Sequence, residues 1–249
     1  MIRQLSPYEK THLQRFGKSD IDIADYGETP VEQITGRVEF GGQVFKLNQD
    51  VLIPRVESEE LINLALEKIA SRNNLVVADV GCGSGAIGIS LFLKLKKRGV
   101  EVELYLSDVS RAALVVTKKN VADLIGQSER LHLIKSDLLK NYPPEVKFDL
   151  IIANLPYIPS ERISVLDESV REYEPHLALD GGSDGLKYIK QLITQAKDRL
   201  SSEGIILMEV DHTHDRDFLA QNLPLKGLRL QVGRDQFQRT RFVILSVEK

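Results

Sequence analysis

Residues 77–91 read Val-Ala-Asp-Val-Gly-Cys-Gly-Ser-Gly-Ala-Ile-Gly-Ile-Ser-Leu. A short apolar run ends in three glycines at alternate positions, and apolar residues then resume at helical spacing. A run of this length, rich in valine, predicts a buried strand over 75–80. The glycines tolerate positive φ and allow a tight turn, and a helix is expected over 84–97. Strand, glycine turn and helix together open a βαβ unit. Working outward, the pattern repeats. Strands are predicted at 101–107, 131–135, 148–153 and 204–210, with helices at 110–125 and 185–200. This alternation specifies an α/β fold with a doubly wound, mostly parallel sheet. Beyond it, 213–222 is helical in pattern, while 228–232 and 241–247 are extended with no crossover helix between them, which predicts an antiparallel edge hairpin.

Upstream, Leu61, Ile62, Ala65, Leu66 and Ile69 recur at helical spacing. Val38-Glu39-Phe40 and Val44-Phe45-Lys46-Leu47 alternate around Gly41-Gly42, the signature of a β-hairpin. Residues 1–33 are polar and irregular, with a short helix expected over 6–16. The expected division is a short N-terminal segment (1–33), a hairpin linker (34–55) and the main domain (56–249).

The whole chain of 249 residues is 42% hydrophobic with a formal net charge of −3. That supports one large core, and no broad basic footprint for nucleic acid stands out. The Lys94, Lys96, Lys97 and Arg98 cluster ends an apolar helix and reads as a solvated face. Cys82 is the only cysteine, so no disulfide framework is expected. No apolar stretch reaches the roughly 18 residues needed to span a bilayer, and Met1-Ile2-Arg3 leads into no signal-like segment. The expectation is a cytoplasmic protein with no membrane association. Asp211-His212-Thr213-His214-Asp215 has metal-like composition, but no third well-separated ligand group accompanies it, so a solvated loop and no metal are expected.

Two ligand patterns overlap in the glycine loop. Gly83-x-Gly85-x-x-Gly88, with Asp108 downstream, satisfies the dinucleotide fingerprint. Asp79 followed by Gly81-Cys82-Gly83-Ser84-Gly85 fits the loop of S-adenosylmethionine-dependent methyltransferases. An acid beside a pyrophosphate would repel it, whereas S-adenosylmethionine carries a sulfonium and an ammonium, so Asp79 favours the second reading. Asp108, at the end of the second strand, suits ribose hydroxyls. It also suits a helix N-terminus, where Ser110 competes for the cap. Asp137-Leu138, after the third strand, suits an adenine amino group and ring, or an ordinary acidic turn. Cys82 has no identifiable base and reads as a small filler within the loop.

Asn154-Leu155-Pro156-Tyr157 follows the strand Phe148–Ala153, where open α/β sheets place ligand chemistry. An amide, a backbone carbonyl, a rigid proline and an aromatic face can hold a planar NH2 group. The competing reading is a strand-end asparagine in a turn. The Asn154 side-chain oxygen and the Leu155 carbonyl are the expected acceptors, with Tyr157 on the plane of the amide and Pro156 fixing the turn.

From about Gly27 onward the chain resembles the HemK-type protein-(glutamine-N5) methyltransferases. The resemblance is carried by residues 33–45 (QITGRVEFGGQVF), 51–62 (VLIPRVESEELI), 77–91, 148–159 (FDLIIANLPYIP), 170–186 (VREYEPHLALDGGSDGL) and Glu209-Val210. It implies a seven-stranded class I methyltransferase fold and S-adenosylmethionine as cofactor. The implied substrate is the glutamine of a Gly-Gly-Gln tripeptide in a peptide chain release factor. By motif, Gly81 to Gly85 and Asp108 are expected to bind cofactor and Asn154 to Tyr157 to hold the glutamine; Asp79, Asp137, Leu138 and Asn154 complete the expected cofactor set, and Asn154 and Tyr157 are the expected catalytic residues. Leu155 replaces the usual first proline of that tetrapeptide, and the N-terminal segment is shorter than the family's helical domain. The rival activities are N6-adenine methylation of RNA or DNA, non-catalytic dinucleotide binding, and an idle scaffold. Tyr173-Glu174-Pro175 is expected to brace the substrate loop; Glu57, Glu59 and Glu60 fall in a first helical turn.

Overall fold

The computed structural model describes residues 3–235 and 237–248. Helix α1 (Pro7–Arg15) begins with a capping box between Ser6 and Glu9, and α2 (Val31–Thr35) is a short turn closed by Gly36. Strands β1 (Arg37–Phe40) and β2 (Gln43–Lys46) form the expected hairpin. Its turn residues Gly41 and Gly42 have φ of +59° and +80°, as a tight hairpin turn requires.

The chain then runs through α3 (Glu59–Lys68), β3 (Asn74–Val80), α4 (Ala86–Lys97), β4 (Glu101–Asp108), α5 (Arg111–Leu124), β5 (Leu131–Lys135) and β6 (Phe148–Ala153). After β6 come the one-turn α6 (Glu168–Arg171), α7 (Lys187–Ala196), β7 (Leu200–Glu209), α8 (Arg216–Asn222), β8 (Leu228–Arg234) and β9 (Thr240–Val247).

The seven main strands form one sheet in the order β5-β4-β3-β6-β7-β9-β8. The first five are parallel, and β9 inserts antiparallel between β7 and β8. The expected seven-stranded, doubly wound sheet with an antiparallel edge hairpin is therefore present. The order reverses at the β3–β6 pair, so the crevice beyond those strand tips is the topological switch point.

Each face of the sheet carries its own core. Leu75, Val77, Leu104 and Leu106 face the side packed by α3, α4, α5 and the hairpin. Ala78, Val80, Tyr105 and Ile151 face the side packed by α7 and α8. The two-residue alternation assigns each strand position to one layer.

Two boundaries differ from expectation for a common reason. The helix predicted over 185–200 stops at Ala196 and tightens into a 3-10 turn at Lys197–Arg199, because Leu200 already pairs with Phe148. The strand then passes an irregularity where Gly204 packs so closely that a Cβ would lie 2.7 Å from the Phe148 carbonyl oxygen.

Candidate active site

The strand order sets the glycine loop after β3 beside the tetrapeptide after β6, because those strands pair with Asp79 opposite Ile152. Between them lies a cavity of about 490 Å³. Gly81, Cys82, Gly83, Ser84, Asp108, Asp137, Leu138, Asn154, Leu155 and Pro156 all reach its wall. The hairpin supplies Phe40, and the segment after Glu174 supplies Pro175 and Leu177.

Three predicted site residues do not line it. Gly85 is the left-handed residue that starts α4, with φ of +81°. The Tyr157 hydroxyl turns away to donate to Glu209 Oε1 at 2.8 Å. Asp79 lies behind the loop, because odd-numbered positions of β3 face α4. Its Oδ2 accepts from Gly88 N at 2.8 Å, in the first turn of α4, where Gly85 offers no side-chain cap. Burial raises its pKa to about 7.

Two of the N–H groups that could grip a phosphate are already committed. Gly83 N donates to Asp108 Oδ2 at 2.9 Å, and Gly88 N to Asp79. Asp108, joined by Asp79 as it ionises above about pH 7, opposes a pyrophosphate, the reverse of what a dinucleotide site needs. Asp108 accepts a second bond from Ser110 N at 2.8 Å. Ser110 itself caps α5 by accepting from Ala113 N, so Asp108 supports the cap residue and is not the cap. Burial pushes the Asp108 carboxyl up against the pull of these backbone N–H groups. Each oxygen keeps a lone pair for a hydroxyl donor. Gly83 has open space where a Cβ would stand, leaving room for a ligand against the backbone. Asp137 is exposed and pairs with Lys140, whereas Leu138 is buried at the wall with a φ of +54°. That backbone is costly for a leucine and holds an apolar side chain where a flat ring could lie.

The tetrapeptide is held from two sides. Asn154 Nδ2 donates to Ser58 Oγ at 3.1 Å, and Ser58 donates to Glu209 Oε2 at 2.7 Å. Behind Tyr157, a Cβ on Gly181 would lie 2.7 Å from Tyr157 Cα, and one on Gly185 would lie 2.3 Å from the Tyr157 carbonyl oxygen. The glycines of 180–186 thus let that segment clasp the tetrapeptide backbone, aided by Ile158 N donating to Leu179 O and Gly181 N to Ile158 O. Arg55 binds Glu174 at 2.6 Å, joining the 51–62 and 170–186 stretches directly. Leu155 is buried against Gly81, which gives the unusual leucine a packing role. Glu59 accepts from Gly41 N and ties the hairpin turn to α3.

The 211–215 cluster is spent on loop structure. Asp211 accepts from Arg162 and Thr213, and His214 Nε2 meets the Asp184 carbonyl oxygen at 2.9 Å.

A family model described as Methyltransferase small domain matches residues 60–183. A release factor glutamine methyltransferase of Leptospira interrogans is 35% identical over 223 residues, which cover 87% of this chain and 74% of that protein. The namesake of Clostridium acetobutylicum is 36% identical over 88% of this chain and 75% of its own. The chain belongs to the release factor glutamine methyltransferase family. Among solved structures, a Listeria monocytogenes protein assigned to the class I S-adenosylmethionine-dependent methyltransferases covers 98% of this chain and 76% of its own at 17% identity, with a TM-score of 0.57. That likeness concerns the fold.

Within this release factor glutamine methyltransferase scaffold, four site-supporting residues escape a sequence reading: Ser58, Thr117, Asn120 and Glu209. Thr117 donates to the Gly83 carbonyl oxygen at 2.7 Å and Asn120 to that of Ser84 at 2.8 Å, so α5 holds the glycine loop from behind. Ser58 and Glu209 lie inside recognisable stretches, but their mutual contact spans 151 positions. No local spacing reveals it.

Proposed function

We propose that this chain methylates the side-chain amide nitrogen, N5, of the glutamine in a Gly-Gly-Gln tripeptide of a peptide chain release factor, with S-adenosylmethionine as donor. The observation that carries this reading is the orientation of Asn154. Its NH2 end is engaged by Ser58, which leaves the carbonyl end as an acceptor beside a cavity built from the glycine loop.

An amide nitrogen is a poor nucleophile because its lone pair is delocalised into the carbonyl. The donor supplies a methyl group activated by a sulfonium. The protein's task is to present the nitrogen. Asn154 Oδ1 and the Leu155 carbonyl oxygen would each accept one N–H of the substrate amide and so fix the nitrogen for attack on the donor's methyl group. These acceptors bind the more proton-acidic nitrogen of the transition state more tightly than the ground state. Pro156 fixes the turn, and Tyr157 acts from behind through Glu209. Transfer would form the N–C bond as the donor's S–CH3 bond breaks and a neutral thioether leaves, and the surplus nitrogen proton would go to water, so no general base is required. Asp108 would accept from the donor's ribose hydroxyls, and Leu138 would cover its ring. Asp79 contributes by capping α4 and shaping the loop. Among the described residues, no helix is long and apolar enough to cross a membrane.

Incubation with methyl-labelled S-adenosylmethionine and a purified release factor, followed by mapping of the label, tests the reading. Label on the Gly-Gly-Gln glutamine is expected; label on adenine of added RNA or DNA instead would overturn it. Asn154→Ala is expected to lower kcat by about two to three orders of magnitude, as loss of a preorganised polar group does, with the donor's Kd little changed. Near-normal turnover in that variant would remove Asn154 from its role.

A further inference from the structure

One carboxylate supports both ends of the tetrapeptide. Glu209, at the carboxyl end of β7, is buried, and its two oxygens divide their work. Oε2 accepts from Ser58 Oγ at 2.7 Å, while Oε1 accepts from the Tyr157 hydroxyl at 2.8 Å. Arg241 Nη1, from β9, approaches the same Oε1 to 3.5 Å. Burial pushes the Glu209 carboxyl up, while the two hydroxyl donors and the Arg241 guanidinium pull it back toward the ionised form, in which a carboxylate can only accept.

The consequence propagates by elimination. With Glu209 ionised, the one hydroxyl proton of Ser58 points to Oε2. Toward Asn154, Ser58 can then offer only a lone pair, so the asparagine must present its NH2 end, as it does at 3.1 Å. A planar amide that turns one end to Ser58 turns the other away. Without the relay, an asparagine amide can rotate by half a turn at little cost, and its NH2 would then meet the NH2 of a substrate amide, donor against donor.

We propose that Glu209, acting through Ser58, is the positioning residue that sets which end of the Asn154 amide faces the cavity. Its catalytic consequence rests on the glutamine methyltransferase reading, whereas its structural consequence does not. Ser58 is expected to act on turnover, not on cofactor capture.

The test uses the full chain with Ser58→Ala and Ser58→Thr. Ser58→Ala is expected to lower kcat about a hundredfold, the order expected for a misdirected positioning group, with the KM for S-adenosylmethionine unchanged. Ser58→Thr, which keeps the hydroxyl, is expected to restore most of that loss even where its Tm falls further than that of Ser58→Ala. Wild-type kcat in Ser58→Ala, or losses in the two variants that simply follow Tm, would overturn the relay. A second readout needs no substrate. The Asn154 side-chain NH2 signals, assigned by their disappearance in Asn154→Ala, should exchange slowly with solvent in the wild type and faster in Ser58→Ala; identical exchange in both would also overturn it. A wild-type protein that places no methyl on glutamine would sink the functional reading alone, because the NH2 exchange would still report on the relay.

Discussion

Asp79 shows how strand parity decides what a site residue can do. The residues that face α4 from β3 are Leu75, Val77 and Asp79, so the acid before the glycine loop is drawn under the helix. Its pKa of about 7 in the fold lies above the ordinary 3.8. Below about pH 4 the group is protonated in both folded and unfolded chains. Between about 4 and 7 the unfolded chain releases the proton while the folded chain keeps it, so stability falls as pH rises through that window and levels off above it. Asp79→Asn keeps an acceptor for Gly88 N and removes the charge. The expected outcome is a flatter dependence of Tm on pH between about 4 and 7, measured by thermal unfolding in a buffer series; an unchanged profile would mean that Asp79 does not titrate there. Gly88 is bound to the same geometry. A Cβ there would stand 2.5 Å from Leu106 and 2.7 Å from the Asp79 carboxylate, so Gly88→Ala is expected to cost about 1–3 kcal/mol in urea unfolding despite alanine's better helix propensity. The glycine loop and Asn154-Leu155-Pro156-Tyr157 were legible in the sequence because each is a contiguous signal at a strand end. The inward turn of Asp79, and Ser58 beneath Asn154, depend on which element packs where.

Among the elements, α5 joins the hairpin to the glycine loop. Asn120, buried on its inner face, accepts from Lys46 N at 2.7 Å and donates to Lys46 O at 2.9 Å and to Ser84 O at 2.8 Å. One side chain therefore fixes β2 against the loop, while Phe40 of β1 forms part of the cavity wall. Asn120→Ala strands these buried backbone groups, at about 1–3 kcal/mol for each that finds no water. The expected result is a clear loss in denaturant midpoint together with weaker donor binding by calorimetry, while Asn154 chemistry at saturating donor is largely retained. A stability loss with unchanged donor affinity would show that the hairpin does not shape the cavity. The hairpin was legible because Gly41-Gly42 sits between two alternating runs, and the inner parallel strands β3 and β6 were legible as apolar runs rich in valine and isoleucine and buried on both faces. The short α2, with its β-branched Val31, Ile34 and Thr35, has little helical signal of its own; its Thr35 hydroxyl bonds the buried His12 of α1. The end of α7 was obscured because Leu200 pairs in β7 one turn earlier than the apolar pattern implies.

For the molecule as a whole, the sheet order is what gathers the site. Strands β3 and β6 are adjacent in space though more than sixty positions apart in the chain, and the crevice beyond them is where the winding reverses. The apolar packing of the two faces holds those tips in register, and the Arg55–Glu174 pair brings the segment after β6 across toward the hairpin side. A ligand seated in that crevice touches the loops of β3, β4, β5 and β6 together, so its binding must be linked to global unfolding. A donor bound only by the native state, at a free concentration a hundred times its Kd, adds about 2.7 kcal/mol. A domain of this size shifts Tm by about 2–4 °C per kcal/mol, so S-adenosylmethionine is expected to raise Tm by about 5–10 °C. NAD should leave it unmoved, because the backbone N–H groups of Gly83 and Gly88 already serve Asp108 and Asp79. The two ligands thus probe opposite electrostatic demands of one loop. A shift with NAD and none with S-adenosylmethionine would mean that those carboxylates yield to a phosphate, and the assignment of the crevice to a cationic donor would fall with it.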